Sequence, residues 1–301
     1  MSPDVLQIDN NDLTQLYTHD TVPTAYVEAN GVRFAYRRFG RTGTTAVVFI
    51  QHFRGTMDNH DPAITDGIGD NREIILFDNR GVGATNGIAR ETIEDMARDT
   101  ALFVDALGLS TVDLLGHSMG GEVAQMLALQ RPDLVRRLIL VGTGPRGGEG
   151  MATLKPSTAE LFVKRYERQD EMWLPIMFAP SETSQAAGRA YLERIRRRPD
   201  RDAPVSAEAA LAHSAAARVW GRPNSDGDAE LRRIARPTLV VNGSDDLVIP
   251  TVNSFILQQH VPNAKLVLYP DSNHGAHYQF HEDFVAQVKL FLDGPVGGRE
   301  Q

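Results

Sequence analysis

The chain alternates between short apolar runs and amphipathic stretches. Ala46-Val47-Val48-Phe49-Ile50-Gln51 is nearly all apolar and rich in β-branched residues, the pattern of a strand buried on both faces. Glu73-Ile74-Ile75-Leu76-Phe77, Thr111-Val112-Asp113-Leu114-Leu115 and Arg137-Leu138-Ile139-Leu140-Val141 repeat it, as do Thr238-Leu239-Val240-Val241 and Lys265-Leu266-Val267-Leu268-Tyr269. Ala25–Ala29 and Val32–Arg37 flank Asn30-Gly31, a strong hairpin turn signal. Between the strand-like runs the period lengthens. Thr92–Leu107 places Ile93, Met96, Ala97, Thr100, Leu102, Phe103 and Leu107 at helical spacing, and His281–Leu292 carries Phe284, Val285, Val288, Phe291 and Leu292 on one stripe. Glu122–Gln130 reads as a further helix. Strands alternating with helices predict a mostly parallel, doubly wound α/β sheet covered on both faces, with ligand sites at the carboxyl ends of its strands.

One segment breaks the alternation. From about 146 to 234 the chain is helix-prone and Arg-rich, as in Tyr191-Leu192-Glu193-Arg194-Ile195-Arg196-Arg197-Arg198. It also holds the large apolar residues Phe162, Trp173, Leu174, Met177, Phe178 and Trp220. The organisation expected is an N-terminal segment over 1–25 that forms an arm or a short helix around Asp12–Tyr17, a core over 26–145 and 235–301, and a helical insertion over 146–234. The arginine run reads as a solvated helix face rather than an anion site.

Composition narrows the function. The 301 residues are 42% hydrophobic and 23% charged, ordinary for a globular protein. The formal net charge of −8, with no long basic run, argues against nucleic acid or an anionic membrane as partner. There is no cysteine, which removes disulfides, thiolate metal sites and a cysteine nucleophile. Met1-Ser2-Pro3-Asp4-Val5 begins without a basic or apolar leader pattern, and no apolar run approaches the ~20 residues of a membrane span. The expectation is a soluble cytoplasmic protein acting on a small molecule; its oligomeric state is left open.

The chemistry concentrates in Gly116-His117-Ser118-Met119-Gly120, a G-x-S-x-G sequence between a predicted strand and a predicted helix. A serine on such a turn is lifted out of the sheet, and small flanking residues let strand and helix approach. The Met119 N–H that follows points into a helix N-terminus, where a developing oxyanion is stabilised. A serine hydroxyl needs a base, and the base needs an orienting group.

Three further stretches complete a pattern. They are Asp78-Asn79-Arg80-Gly81-Val82-Gly83-Ala84-Thr85, Gly243-Ser244-Asp245-Asp246-Leu247-Val248-Ile249-Pro250 and Ser272-Asn273-His274-Gly275. With Gly-His-Ser-Met-Gly-Gly after an apolar strand, the chain from about 26 to 293 resembles the α/β-hydrolase superfamily. The resemblance implies a catalytic triad in the chain order Ser118, Asp246, His274. Spacing from Gly243 selects Asp246 over Asp245. The 146–234 insertion corresponds to the family's helical cap, with Trp173, Met177, Phe178 and Trp220 as candidate substrate contacts. The second oxyanion donor comes from the loop Gln51-His52-Phe53-Arg54-Gly55-Thr56, which departs from the usual His-Gly signature. That leaves Phe53 or Arg54 as donor, with Phe53 favoured. Arg54 is either a substrate contact or the partner of Asp58 or Asp61. His52 and His117 are read as structural.

His277 and His281 lie four apart, but the glutamate of H-E-x-x-H is missing, so no metal is implied. Gly81-Val82-Gly83 lacks the third glycine of a dinucleotide loop, so no organic cofactor is implied either. The expected activity is hydrolysis of a small, largely apolar ester or lactone through an acyl-enzyme. C–C bond cleavage, thioester hydrolysis, perhydrolase or haloperoxidase chemistry and a slow-turnover receptor remain as alternatives.

Overall fold

The computed structural model describes residues 17–294. One sheet holds β1 (Ala25–Ala29), β2 (Val32–Gly40), β3 (Val47–Ile50), β4 (Glu73–Phe77), β5 (Val112–His117), β6 (Val135–Val141), β7 (Thr238–Gly243) and β8 (Ala264–Tyr269). Their order across it is β1-β2-β4-β3-β5-β6-β7-β8. β1 and β2 form the hairpin that Asn30-Gly31 predicts, both residues having positive φ, 48° and 76°. β2 pairs antiparallel with β4, and every neighbouring pair from β4 to β8 is parallel.

Helices fill the crossovers. α1 (Pro62–Gly69), α2 (Ile93–Ala106) and α3 (Met119–Gln130) follow β3, β4 and β5. α4 (Pro156–Val163), α5 (Trp173–Met177), α6 (Glu182–Ile195), α7 (Ala207–Trp220) and α8 (Gly227–Arg232) lie between β6 and β7. α9 (Val252–His260) precedes β8, and α10 (Ala276–Gln279) and α11 (His281–Asp293) close the chain. Alternate strand residues face opposite layers. Val47, Phe49, Ile139 and Val241 pack toward α1 and α11, while Val48, Ile50, Leu140 and Val240 pack toward α2, α3 and α9. This two-sided burial is why these strands read as continuous apolar runs.

The sequence pattern misses α1 and α9. Each is eight or nine residues long, too short to hold in isolation. α1 carries three glycines or prolines but is capped by Asp61, whose side chain accepts from the Ala63 N–H, and Ile64 and Ile68 enter the core. β2 runs three residues beyond its predicted end because Phe39 and Gly40 pair with Ile74 and Glu73.

The arginine run corrects an expectation. α6 ends at Ile195, so the run leaves the helix, and only Arg197 is exposed. Arg194 clamps Asp61 at 2.6 and 2.8 Å, and Arg196 clamps Asp170 at 2.8 Å. Arg198 is buried and donates to the carbonyls of His19, Asp20 and Val22, fastening that part of the N-terminal segment to the core. The run joins the insertion to its surroundings. Apart from Tyr17, the expected Asp12–Tyr17 helix lies outside the described residues.

Candidate active site

β5 ends at His117 and α3 begins at Met119, which leaves Ser118 alone on the turn. Its φ of 56° and ψ of −122° lie in a strained region for a residue with a side chain. The Ser118 N–H bonds the Val141 carbonyl on β6 at 2.8 Å, and the Ser118 carbonyl accepts from the Gly121 N–H at 2.8 Å. Crowding holds the turn. A Cβ on Gly116 would collide with the Gly120 carbonyl, and one on Gly120 with the Ile50 carbonyl. One on Gly121 would stand 2.6 Å from the Thr143 side chain. The three glycines are therefore required by close approach.

The acid and histidine turns follow β7 and β8. His274 Nδ1 lies 2.8 Å from Asp246 Oδ2, with both side chains buried. The other carboxylate oxygen of Asp246 accepts from the Val248 and Ile249 N–H groups at 2.8 and 2.9 Å. The turns are also tied directly, by the Leu247 N–H to Asn273 Oδ1 at 2.8 Å and the Asp245 N–H to the Ser272 carbonyl at 3.0 Å. Asp245 is exposed and meets Ser244, so the geometry selects Asp246 as the histidine's partner. Asp271 has positive φ and accepts from the Ser181 hydroxyl at 2.7 Å.

Ser118, Met119, Phe53 and His274 line one cavity of about 480 Å³. The Arg54 N–H is directed at His213 Nδ1, 3.4 Å away. Among the described residues, the Phe53 and Met119 N–H groups have no protein acceptor. Trp173 and Met177 line the cavity, with Phe162, Leu154 and Ile176 beside them. The histidine turn and α5 touch, because the Gly275 N–H bonds the Met177 carbonyl at 2.7 Å.

Three residues named from sequence lie elsewhere. Phe178 turns behind α5, its ring 5.8 Å from that of Tyr191. Trp220 enters the core below α7, donates to the Gly144 carbonyl at 3.3 Å and carries Arg146 over its ring at 4.7 Å. Arg54, with φ of 58°, sends its side chain to the Phe162 carbonyl at 3.4 Å and lines a separate cavity of about 200 Å³. Neither carboxylate proposed as its partner is free, since Arg37 holds Asp58 at 2.6 Å and Arg194 holds Asp61.

Two features escape the motifs. The first is a packed set of imidazoles. The His117 ring lies 5.0 Å from His274, 4.4 Å from His277 and 5.2 Å from His52, and His117 Nε2 meets the His274 carbonyl at 3.1 Å. Burial lowers the pKa of His52 to about 3 and holds His117 and His277 well below the usual histidine value, so these three stay neutral. His117 thus holds His274 through a hydrogen bond to its carbonyl as well as by packing. The second is Glu122, a buried carboxyl lining the cavity, with Oε2 lacking a partner among the described residues. Burial raises its pKa to about 8, Arg146 opposing. A glutamate on the wholly buried first turn of α3 was the available signal. Among the described residues no group of three His, Cys, Asp or Glu side chains could hold a metal ion, and no helix is long and apolar enough to cross a membrane.

Residues 46–280 match the family described as alpha/beta hydrolase fold, and the chain belongs to that family. It is similar to the pimeloyl-[acyl-carrier protein] methyl ester esterase of Nitrosomonas europaea, 31% identical over 68% of this chain and 79% of that one. A proline iminopeptidase of Pestalotiopsis fici is 27% identical over 89% of this chain and 99% of its own length. Among solved structures, an alpha/beta hydrolase fold protein from Chitinophaga pinensis superposes with a TM-score of 0.87 at 39% identity, covering 93% of this chain and all of that one.

Proposed function

We propose that the chain is a serine hydrolase that cleaves a small, largely apolar carboxylic ester or lactone through an acyl-enzyme. The observation that carries this reading is the 2.8 Å contact between His274 Nδ1 and Asp246, with His274 and the strained Ser118 lining one mostly apolar cavity. Asp246 keeps the proton of His274 on Nδ1, leaving Nε2 to accept the proton of Ser118. Ser118 Oγ attacks the acyl carbon. The Met119 and Phe53 N–H groups receive the oxyanion, and Arg54, whose N–H faces His213, is not the second donor. Protonated His274 gives its proton to the leaving alkoxide. Water, deprotonated by His274, then releases the acid and restores Ser118.

The esterase relative supports an ester, and the apolar lining supports an uncharged substrate. The insertion between β6 and β7 acts as a cap over the site, with Trp173 and Met177 as substrate contacts. Intact mass measurement after fluorophosphonate treatment tests the reading. One adduct is expected on the wild type and none on Ser118→Ala; an equal adduct on both would remove Ser118 from the mechanism.

A further inference from the structure

We propose that Glu122 determines specificity by hydrogen-bonding an uncharged oxygen of the substrate, an ether, carbonyl or hydroxyl placed a few bonds from the scissile carbonyl. This rests on the hydrolase reading above. Glu122 is 3% exposed, lines the same cavity as Ser118 and His274, and leaves Oε2 without a partner among the described residues. A buried carboxyl without a hydrogen bond costs free energy that a bound polar group recovers. Its place on the first turn of α3, with its N–H bonding the Ser118 carbonyl at 3.3 Å, sets it close to the elbow. Much of the lining is apolar, with residues such as Leu154, Phe162, Ile176 and Val248. Thr153, Ser214, Arg218 and His52 are polar there too, and His52 Nε2 is also buried without a partner among the described residues. Glu122 is the carboxyl among them, the group able to donate an O–H to an ether or carbonyl oxygen from the first turn of α3.

Burial dominates the protonation of Glu122, raising its pKa to about 8. At neutral pH it is a donor, and a substrate carboxylate or ammonium is not its match. The charged and titratable groups around it are Arg146 from the loop after β6, Arg218 from α7, and His52 and His274 from the loops after β3 and β8. Arg146 is itself held by Glu94 and Glu230.

Two isosteric ester pairs test the assignment. 4-Nitrophenyl butanoate against 4-nitrophenyl methoxyacetate probes the acyl side, and butyl acetate against 2-methoxyethyl acetate probes the alcohol side. The quantity read is the ratio of kcat/KM, ether over hydrocarbon, in which any general loss of activity cancels. Glu122→Leu is expected to lower the ratio about tenfold in at least one pair, while Glu122→Gln, which keeps a donor, holds it within about threefold of wild type. In the wild type the ratio is expected to fall as pH rises through 8, and in Glu122→Gln to stay level. Ratios unchanged within twofold in both pairs for Glu122→Leu, with the hydrocarbon esters still cleaved, would overturn the assignment and leave the hydrolase reading standing. Loss of fluorophosphonate labelling at Ser118 would instead remove that reading.

Discussion

The floor of the cavity and its roof are held by different kinds of contact. In the floor, at the carboxyl ends of β3, β5, β7 and β8, backbone meets backbone. Gly120 has no space for a Cβ beside the Ile50 carbonyl, Gly243 none beside the Ser272 and Asn273 carbonyls, and the acid and histidine turns are joined by main-chain hydrogen bonds. In the roof, α4, α5 and α7 meet the cavity through side chains, mostly apolar ones such as Phe162, Ile176 and Ala217, with Ser214 and Arg218 from α7. A floor fixed by backbone geometry tolerates few changes; a roof of mostly apolar side chains tolerates many. On the proposed reading the floor carries the chemistry and the roof sets the fit.

Substitutions that remove the proposed nucleophile and base test this contrast most strongly. Ser118→Ala and His274→Ala are each expected to lower kcat by several orders of magnitude with little change in Tm, read by steady-state kinetics and thermal melting. Turnover near wild type in either would separate that residue from the reaction. Gly120→Ala is next. It is expected to destabilise the fold by more than about 2 kcal/mol, because the Ile50 carbonyl cannot withdraw from the sheet. An unchanged denaturation midpoint would mean that the elbow relaxes and that the floor is not rigid.

Acid should weaken floor and roof alike, since the buried histidines include His52 and His117 in the floor and His213 on α7 in the roof. Burial lowers the pKa of His19 and His52 to about 3 and of His213 to about 4, and holds His60, His117 and His277 well below the ordinary 6.5. Because the unfolded chain binds these protons first, the stability is complete above pH 6.5 and is lost as pH falls toward 3, at about 1.4 kcal/mol per pH unit for each histidine. His277→Leu is expected to reduce this slope by about one proton in denaturation measured between pH 5 and 7. An identical slope would place His277 outside the titrating set.

The smallest effect belongs to the roof. Phe162 is half-buried and packs on Phe53 at 5.7 Å. Phe162→Ala is expected to shift the preference between short and long acyl chains by roughly threefold to thirtyfold, with Tm nearly unchanged. A loss of kcat equal for all acyl lengths would instead give the roof a part in the chemistry.

The limits of reading the chain follow the same division. Ser118, Asp246 and His274 were legible because each sits on a turn whose glycines and spacing are local. The alternation of strands and helices was equally legible, since burial on both faces leaves a continuous apolar run. Phe178 and Trp220 were placed wrongly beside the cavity because size and hydrophobicity do not say which side of a short helix faces it. The arginines at 194, 196 and 198 look like a solvated face until Asp61, Asp170 and the carbonyls of residues 19–22 are brought to them across the fold.

By itself, then, the sequence determined the sheet, the elbow and the turns that carry Ser118, Asp246 and His274, because periodicity and tight turns act over a few residues. Tertiary structure alone decided three things: the committed Arg54 N–H, the imidazoles packed behind His274, and the unpaired carboxyl of Glu122 in the cavity. Each depends on residues far apart in the chain meeting in a buried space, where the cost of removing a polar group from water is set by its neighbours rather than by its own type.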